Sequence, residues 1–388
     1  MKKIYIEREI SNHISIMARD FPAICLTGPR QTGKSTLLKK LFPNHNYYTL
    51  DDPILKSQFK NDPKTSIDML KRPCIIDEIQ YVPEILPYLK IIIDSDRKNG
   101  EFILSGSQMF VLMQGLSESL AGRVGICELL GLSYKERIKH CSYKSTPELL
   151  KNCLLGSYPE TAIHGVSSKN FYSSYLQTYL ERDLRQIRSV HDISLFQRFL
   201  ELIAARAGSV LNISELGSAC GVSHTISRQW LTILESTRIV YLLRPYFTNL
   251  SKRLVKSPKI YFTDTGLLCY LLKYSSIETL WASPSCGHVF ENEMISLWLK
   301  EKINTNAFFD LYYLRDSKGK EVDLLIDHGE HKEAYEFKLG ANISNDDCKG
   351  LIYFQNNIKY HANLISTYDN SLQLKNNVTA TPWFNMLT

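Results

Sequence analysis

Residues 28–35 read Gly-Pro-Arg-Gln-Thr-Gly-Lys-Ser, a G-x-x-x-x-G-K-S/T run built to hold a phosphate chain. Gly28 and Gly33 let the backbone turn sharply, so that its N–H groups point inward. The helix that follows adds its positive end. Lys34 is expected to reach the β- and γ-phosphates, and the Ser35 hydroxyl to ligate Mg²⁺. Pro29, Arg30, Gln31, Thr32 and Thr36 complete the expected phosphate-binding segment.

Cys74-Ile75-Ile76-Asp77-Glu78 is an apolar run ending in two acids. A buried strand of this kind sets carboxylates at the carboxyl edge of a parallel sheet, beside the phosphate loop. Asp77 is expected to hold Mg²⁺, directly or through water. Glu78 is expected to orient or deprotonate the attacking water. A further strand, 101–106, runs into small polar residues, and either Ser105 or Ser107 could lie near the γ-phosphate.

A second set of acids lies near the C-terminus. Glu291 and Glu293 fall near the start of an expected helix, 288–302, and Asp323 falls in an apolar strand, 321–326. Glu336 and Lys338 share a strand at i, i+2, which aims both side chains at one face. Helix-Glu, strand-Asp and Glu-x-Lys form the arrangement of metal-dependent nucleases. Asp323 and Glu336 could ligate Mg²⁺ and Glu291 could complete the site. Lys338 could orient water and stabilise developing charge. The competing reading is that strand surfaces commonly carry such residues without any ligand.

The elements that must position these groups follow from the hydrophobic pattern. Residues 1–20 read as a helix. From 21 to about 137, strands at 23–28, 46–50, 73–77, 101–106 and 124–130 alternate with helical segments, which predicts a mostly parallel sheet covered on both faces. Residues 138–150 read as a polar linker and 150–205 as helices. Helix, Gly-turn, helix and two strands across 208–262 give a winged helix-turn-helix pattern. Its second helix would touch DNA through Ser227, Arg228 and Gln229, or the module would bind protein or act as a lid. The third segment adds strands at 309–315, 321–326 and 333–339. The expected class is α/β, with domains at 1–140 (P-loop ATPase), 150–275 (helical and winged helix) and 284–388 (α/β, restriction-endonuclease-like).

Composition agrees with a globular chain. Of 388 residues, 44% are hydrophobic and 22% charged. The net charge of +6 permits nucleic acid as a partner without demanding it. The cysteines form no C-x-x-C pair, so reduced thiols and a cytoplasmic location are expected. No apolar run approaches the length of a membrane span and no signal peptide is evident, so no membrane partner is expected.

With these residues in place, the chain resembles a bacterial and archaeal family that joins an AAA-type P-loop ATPase domain to a C-terminal domain of unknown function related to PD-(D/E)-x-K nucleases. The stretches that carry the resemblance are Leu26 through Ser35, Leu50-Asp51-Asp52-Pro53, Ile76-Asp77-Glu78-Ile79-Gln80, Leu104-Ser105-Gly106-Ser107 and Leu120-Ala121-Gly122-Arg123. They continue with Tyr158-Pro159-Glu160, Tyr261 through Gly266, Phe290-Glu291-Asn292, Glu321-Val322-Asp323 and Glu336-Phe337-Lys338. The resemblance implies ATP and Mg²⁺ as cofactors. It also implies a role for Arg123 as γ-phosphate sensor or arginine finger, against the alternative of an Arg closing a helix end.

Two functions from different classes stand. One is a Mg²⁺-dependent ATPase that drives the winged helix and the C-terminal domain, with action on DNA as its output. The other is a nucleotide-dependent switch or scaffold that binds protein partners and carries a vestigial nuclease-like domain. They differ at Glu336 and Lys338, which only a nuclease needs. Self-assembly is left open by the sequence. A metabolic kinase is disfavoured, since no acceptor site is evident beside the loop.

Overall fold

Five short apolar runs become strands: β1 (Ala23–Thr27), β2 (Asn46–Thr49), β3 (Cys74–Asp77), β4 (Phe102–Gly106) and β5 (Val124–Glu128). They form one parallel sheet in the order β2-β3-β4-β1-β5. The pleat sends alternate side chains to opposite faces. Ala23, Cys25, Ile76 and Leu104 enter one apolar core, while Ile24, Leu26, Ile75 and Ile103 enter another. Burial on both faces explains why these strands read as unbroken apolar runs. Because β4 lies between β3 and β1, three carboxyl ends come together. They deliver the loop 28–33, the pair Asp77-Glu78 and the serines 105 and 107 to one edge.

The computed structural model describes residues 4–107, 119–179, 192–246, 256–340 and 342–386. The chain forms two compact units. The first comprises Met1–Leu132, with Ser236–Arg238 and Ile303–Asn306; the second comprises Ser133–Glu235, Ile239–Lys302 and Ala307–Thr388. Apart from Ser236–Arg238 and Ile303–Asn306, the expected segments 150–275 and 284–388 therefore fall in one unit. The reason is a shared sheet: β6 (Val240–Pro245) and β7 (Lys259–Phe262) extend the strands β8 (Asp310–Arg315), β9 (Glu321–Asp327), β10 (Lys332–Lys338), β11 (His361–Ser366), β12 (Leu372–Gln373) and β13 (Thr379–Pro382). The sheet is mixed, in the order β12-β13-β11-β10-β9-β8-β6-β7. Leu314, Val322, Leu325, Ala334 and Leu364 from its strands pack with Leu351 and Phe354 of the helix Lys349–Gln355.

Two expectations are corrected near the helices. Residues 1–20 do not form one helix: the helix is Ser11–Asp20, and residues 4–8 have no regular structure. Ile6, Arg8 and Ile10 are buried while Glu7 is exposed. That two-residue alternation belongs to extended chain, not to a helix. The polar segment 138–150 is not all linker either. A helix starts at Thr146, capped by the reciprocal hydrogen bonds of Ser145 and Glu148. Of the helical stretch 150–205, residues 180–191 lie outside those described.

Two helices and two antiparallel strands lie where the winged-helix pattern puts them, but the strands are the edge of the eight-stranded sheet. The helix Ile213–Cys220 ends at Gly221 with φ of 80°, the helix His224–Ser236 follows, and β6 pairs antiparallel with β7. Ser227, however, is buried and its Oγ donates to the Ser223 carbonyl, so it is not a surface group; Arg228 and Gln229 are exposed. The DNA contact expected of Ser227 is thereby removed, because Ser227 packs against Gly217 of the preceding helix.

Candidate functional site

The loop after β1 can be made only with glycine at its first position. Gly28 has φ of 138°, and a Cβ there would stand 2.1 Å from the Leu129 carbonyl oxygen. Gly33, at φ of 93°, turns the chain into the helix Lys34–Leu41. Gln31 is also left-handed, at φ of 62°. Lys34 is buried, and its Nζ donates to the carbonyls of Gly28 and Pro29 at 2.9 Å each. Thr32 Oγ1 donates to Pro29 O at 2.9 Å, and Arg30 Nη2 to Tyr81 Oη at 3.4 Å. Thr36 is exposed on the first turn of the helix.

Arg8 holds this loop from beneath, a role that no motif signals. Its guanidinium donates to Thr32 O at 2.7 Å, Leu130 O at 2.8 Å and Gly131 O at 3.2 Å. It is 6% exposed. The signal that could have found it is a charged residue at a buried step of the alternation Ile6-Glu7-Arg8.

Asp77 closes β3 at 3% exposure. Its two oxygens accept from Tyr47 Oη and from Ser105 Oγ. Tyr47 also hydrogen-bonds Ser35. Ser35, Tyr47 and Asp77 are thus gathered at the start of the phosphate-loop helix. Burial, then the Asp77 carboxylate, pushes the Tyr47 hydroxyl well above its ordinary range. Hydroxyl and carboxylate oxygens are the hard donors that Mg²⁺ prefers. Ser105 is accordingly a partner of Asp77.

Glu78 takes a left-handed conformation, φ 56° and ψ 44°. That backbone is uncommon outside glycine. It turns the side chain toward Gln80 and Ser107: Glu78 Oε2 accepts from Gln80 Nε2, and from Ser107 Oγ at 3.4 Å. Gln80 Nε2 also faces Ser107 Oγ at 3.3 Å. Gln80 Oε1 is buried and has no hydrogen-bond partner among the described residues. An acceptor left unpaired beside Glu78 is suited to receiving an O–H from water. The sequence motif that contains Gln80 assigns it no role.

Arg123 is not brought to the loop. It precedes Val124, which pairs with Ala23 at the amino end of β1, whereas the loop leaves the carboxyl end. Its guanidinium pairs with Asp94 and donates to Ala121 O at 2.9 Å. A sensor role within its own chain is corrected on that ground.

The acids of the second unit do converge, around a residue the sequence reading did not weigh. Lys259, on β7, is 1% exposed. Its Nζ lies 2.6 Å from Glu321 Oε1, 2.7 Å from Glu291 Oε1 and 3.4 Å from Asp323 Oδ1. Tyr261 Oη donates to Glu291 Oε1 at 2.5 Å. Against burial, which raises it, the Lys259 ammonium holds the Glu291 carboxyl at about 2. Burial, then Glu291, pushes Asp323 up to about 6. Glu336 accepts from Lys338 at 3.0 Å through Oε1, while its buried Oε2 has no partner among the described residues. Burial, then Asp323, raises its carboxyl well above the usual range. Glu293 is not in this cluster. Two positions from Glu291 it faces another way, pairing with the buried Arg137 and accepting from Thr265 Oγ1 at 2.7 Å.

At the β9–β10 turn, His328, His331 and Glu333 bring ligand atoms within 4.8 Å of one another. The two imidazoles stack at 4.3 Å with planes 5° apart. Parallel stacked rings cannot both aim a lone pair at one ion, so this turn is not a preformed metal centre.

The fold and site of the first unit define an AAA-type P-loop ATPase domain. A model of that family, described as an AAA domain, matches residues 20–138. Residues 146–278 and 286–386 match two domains of unknown function, DUF8612 and DUF4143. The chain belongs to the same family as the uncharacterized proteins Rv2008c of Mycobacterium tuberculosis and Mb2031c of Mycobacterium bovis. Each is 31% identical over 326 residues, covering 83% of this chain and 71% of the relative. Among solved structures, the Walker-type ATPase PABY2304 of Pyrococcus abyssi is similar over 69% of this chain and 96% of its own, at 14% identity and a TM-score of 0.46. A variant of RuvB of Thermotoga maritima is similar over 63% and 93%, at 17% identity and a TM-score of 0.31. Among the described residues, no helix is long and apolar enough to cross a membrane.

Proposed function

We propose that the chain binds and hydrolyses ATP with Mg²⁺ at the carboxyl edge of β1, β3 and β4. The observation that carries this is the pairing of a phosphate loop with two adjoining polar groups, Ser35–Tyr47–Asp77 and Glu78–Gln80–Ser107. The loop amides and Lys34 bind the phosphate chain; Lys34 leaves the Gly28 and Pro29 carbonyls to do so. Ser35 and Asp77 would hold Mg²⁺, which would supply charge neutralisation on the phosphates. Glu78 orients the attacking water and takes its proton, with Gln80 as a second contact. Lys34→Ala removes the charge that faces the phosphates. Titration of a fluorescent ATP analogue is expected to find binding lost in this variant, and unchanged affinity in a folded Lys34→Ala chain refutes the proposal.

For the second unit we favour a switch or protein-docking role over cleavage of DNA. The feature in favour is Lys259, a cation already lodged among the acids that a nuclease would give to metal. Incubation of plasmid with the chain, Mg²⁺ or Mn²⁺ and ATP is expected to leave the DNA intact. Nicking that disappears in Lys338→Ala would restore the nuclease reading.

A further inference from the structure

The acids Glu291, Glu321 and Asp323 come from one helix and one strand, and their oxygens point at a single nitrogen. Lys259 shows no other ion pair among the described residues. Burying an ammonium costs its hydration, and acids placed around it as here offset that cost. The arrangement has the form of a cation site whose occupant is covalently attached to the chain.

We propose that Lys259 is the resident cation of this cluster and excludes a divalent metal from it. Mg²⁺ requires oxygens in an octahedron at about 2.1 Å. Here Glu291 Oε1 is shared by Lys259 and Tyr261, Glu321 Oε2 lies 2.6 Å from Arg315 Nη1, and Asp323 Oδ2 accepts from Phe337 N–H at 3.0 Å. The acids also have cations of the chain beside them: Glu291, Glu321, Asp323 and Glu336 face Lys259, Arg315 and Lys338, and His288 lies 3.8 Å from Glu291. A divalent ion beside Lys259 would meet a like charge at contact distance in a poorly screened interior.

The inference is independent of the ATPase reading and is tested without nucleotide. Mn²⁺ binding to the full-length chain is followed by loss of the free-ion paramagnetic resonance signal. Four proteins are compared: the natural chain, Asp323→Asn, Lys259→Met and Lys259→Met/Asp323→Asn. The natural chain and Asp323→Asn are expected to bind Mn²⁺ equally weakly. Lys259→Met keeps the stem and removes the charge, and it is expected to bind Mn²⁺ about tenfold more tightly or better. That gain is expected to vanish in the double variant. Mn²⁺ held by the natural chain and lost in Asp323→Asn overturns the proposal, and this arm decides even where Lys259→Met does not fold. A folded Lys259→Met chain that binds no more Mn²⁺ than the natural one overturns it equally.

Discussion

The Arg8 guanidinium donates to the Thr32 carbonyl at 2.7 Å, tying a residue before the first helix to the middle of the phosphate loop. Two further bonds from the same group reach Leu130 and Gly131, beyond β5. One buried side chain thus fixes both walls of the loop. Arg8→Ala leaves three carbonyls short of a charged donor, at a cost of about 2 kcal/mol. Thermal denaturation is expected to register that loss, and titration of an ATP analogue to register weaker binding. Arg8→Lys is expected to restore the affinity only in part, since an ammonium lacks the planar fork.

Glu78 separates binding from hydrolysis. Its carboxylate faces Gln80 and Ser107, not the loop carbonyls that hold Lys34. Glu78→Gln keeps the shape and removes the base. Turnover is expected to fall by about 100-fold with ATP affinity retained. A steady-state assay beside a binding titration makes the comparison. A normal rate would transfer the role to another group.

The parallel sheet and the phosphate loop were legible because both are local signals. Buried parallel strands such as Cys74–Asp77 are apolar throughout, and the loop's glycines sit at fixed spacing. Arg8 and Lys259 were not legible, for they act across 122 and 64 residues of chain on groups that no short pattern links to them. The shared sheet of the second unit was missed for the same reason. The two residue pairs that join β6 to β8, Arg244 with Tyr312 and Pro245 with Tyr313, are long-range contacts with no periodicity. The start of the helix Thr146–Leu155 was readable, in contrast, since Ser145 and Glu148 stand at capping-box spacing.

Arg123 offers a test of placement. Its partner Asp94 and the amino end of β1 put it on the edge of the sheet away from the phosphate loop. Arg123→Ala is therefore expected to leave ATP turnover by a dilute, monomeric sample unchanged. The assay is repeated across protein concentration. A large loss at every concentration would return Arg123 to the chemistry of its own chain.

Lys300 carries the clearest dependence on pH. It is 1% exposed, and its Nζ has no hydrogen-bond partner among the described residues. Burial, then the nearby Arg137, lowers its ammonium to about 8 from 10.5. The unfolded chain thus binds more protons than the folded one between those two values, so stability rises with pH across that window. Below pH 8 both states hold the proton and the penalty is complete, at about 3 kcal/mol for a shift of this size. Lys300→Met keeps the apolar stem and abolishes the penalty. Denaturant unfolding at about pH 7, below the folded-state value, is expected to find the variant more stable than the natural chain, with the difference shrinking toward about pH 10. An equal or lower stability at neutral pH would mean that Glu293, Asp264 and Glu136, whose charges favour the ammonium, outweigh the cost of burying it.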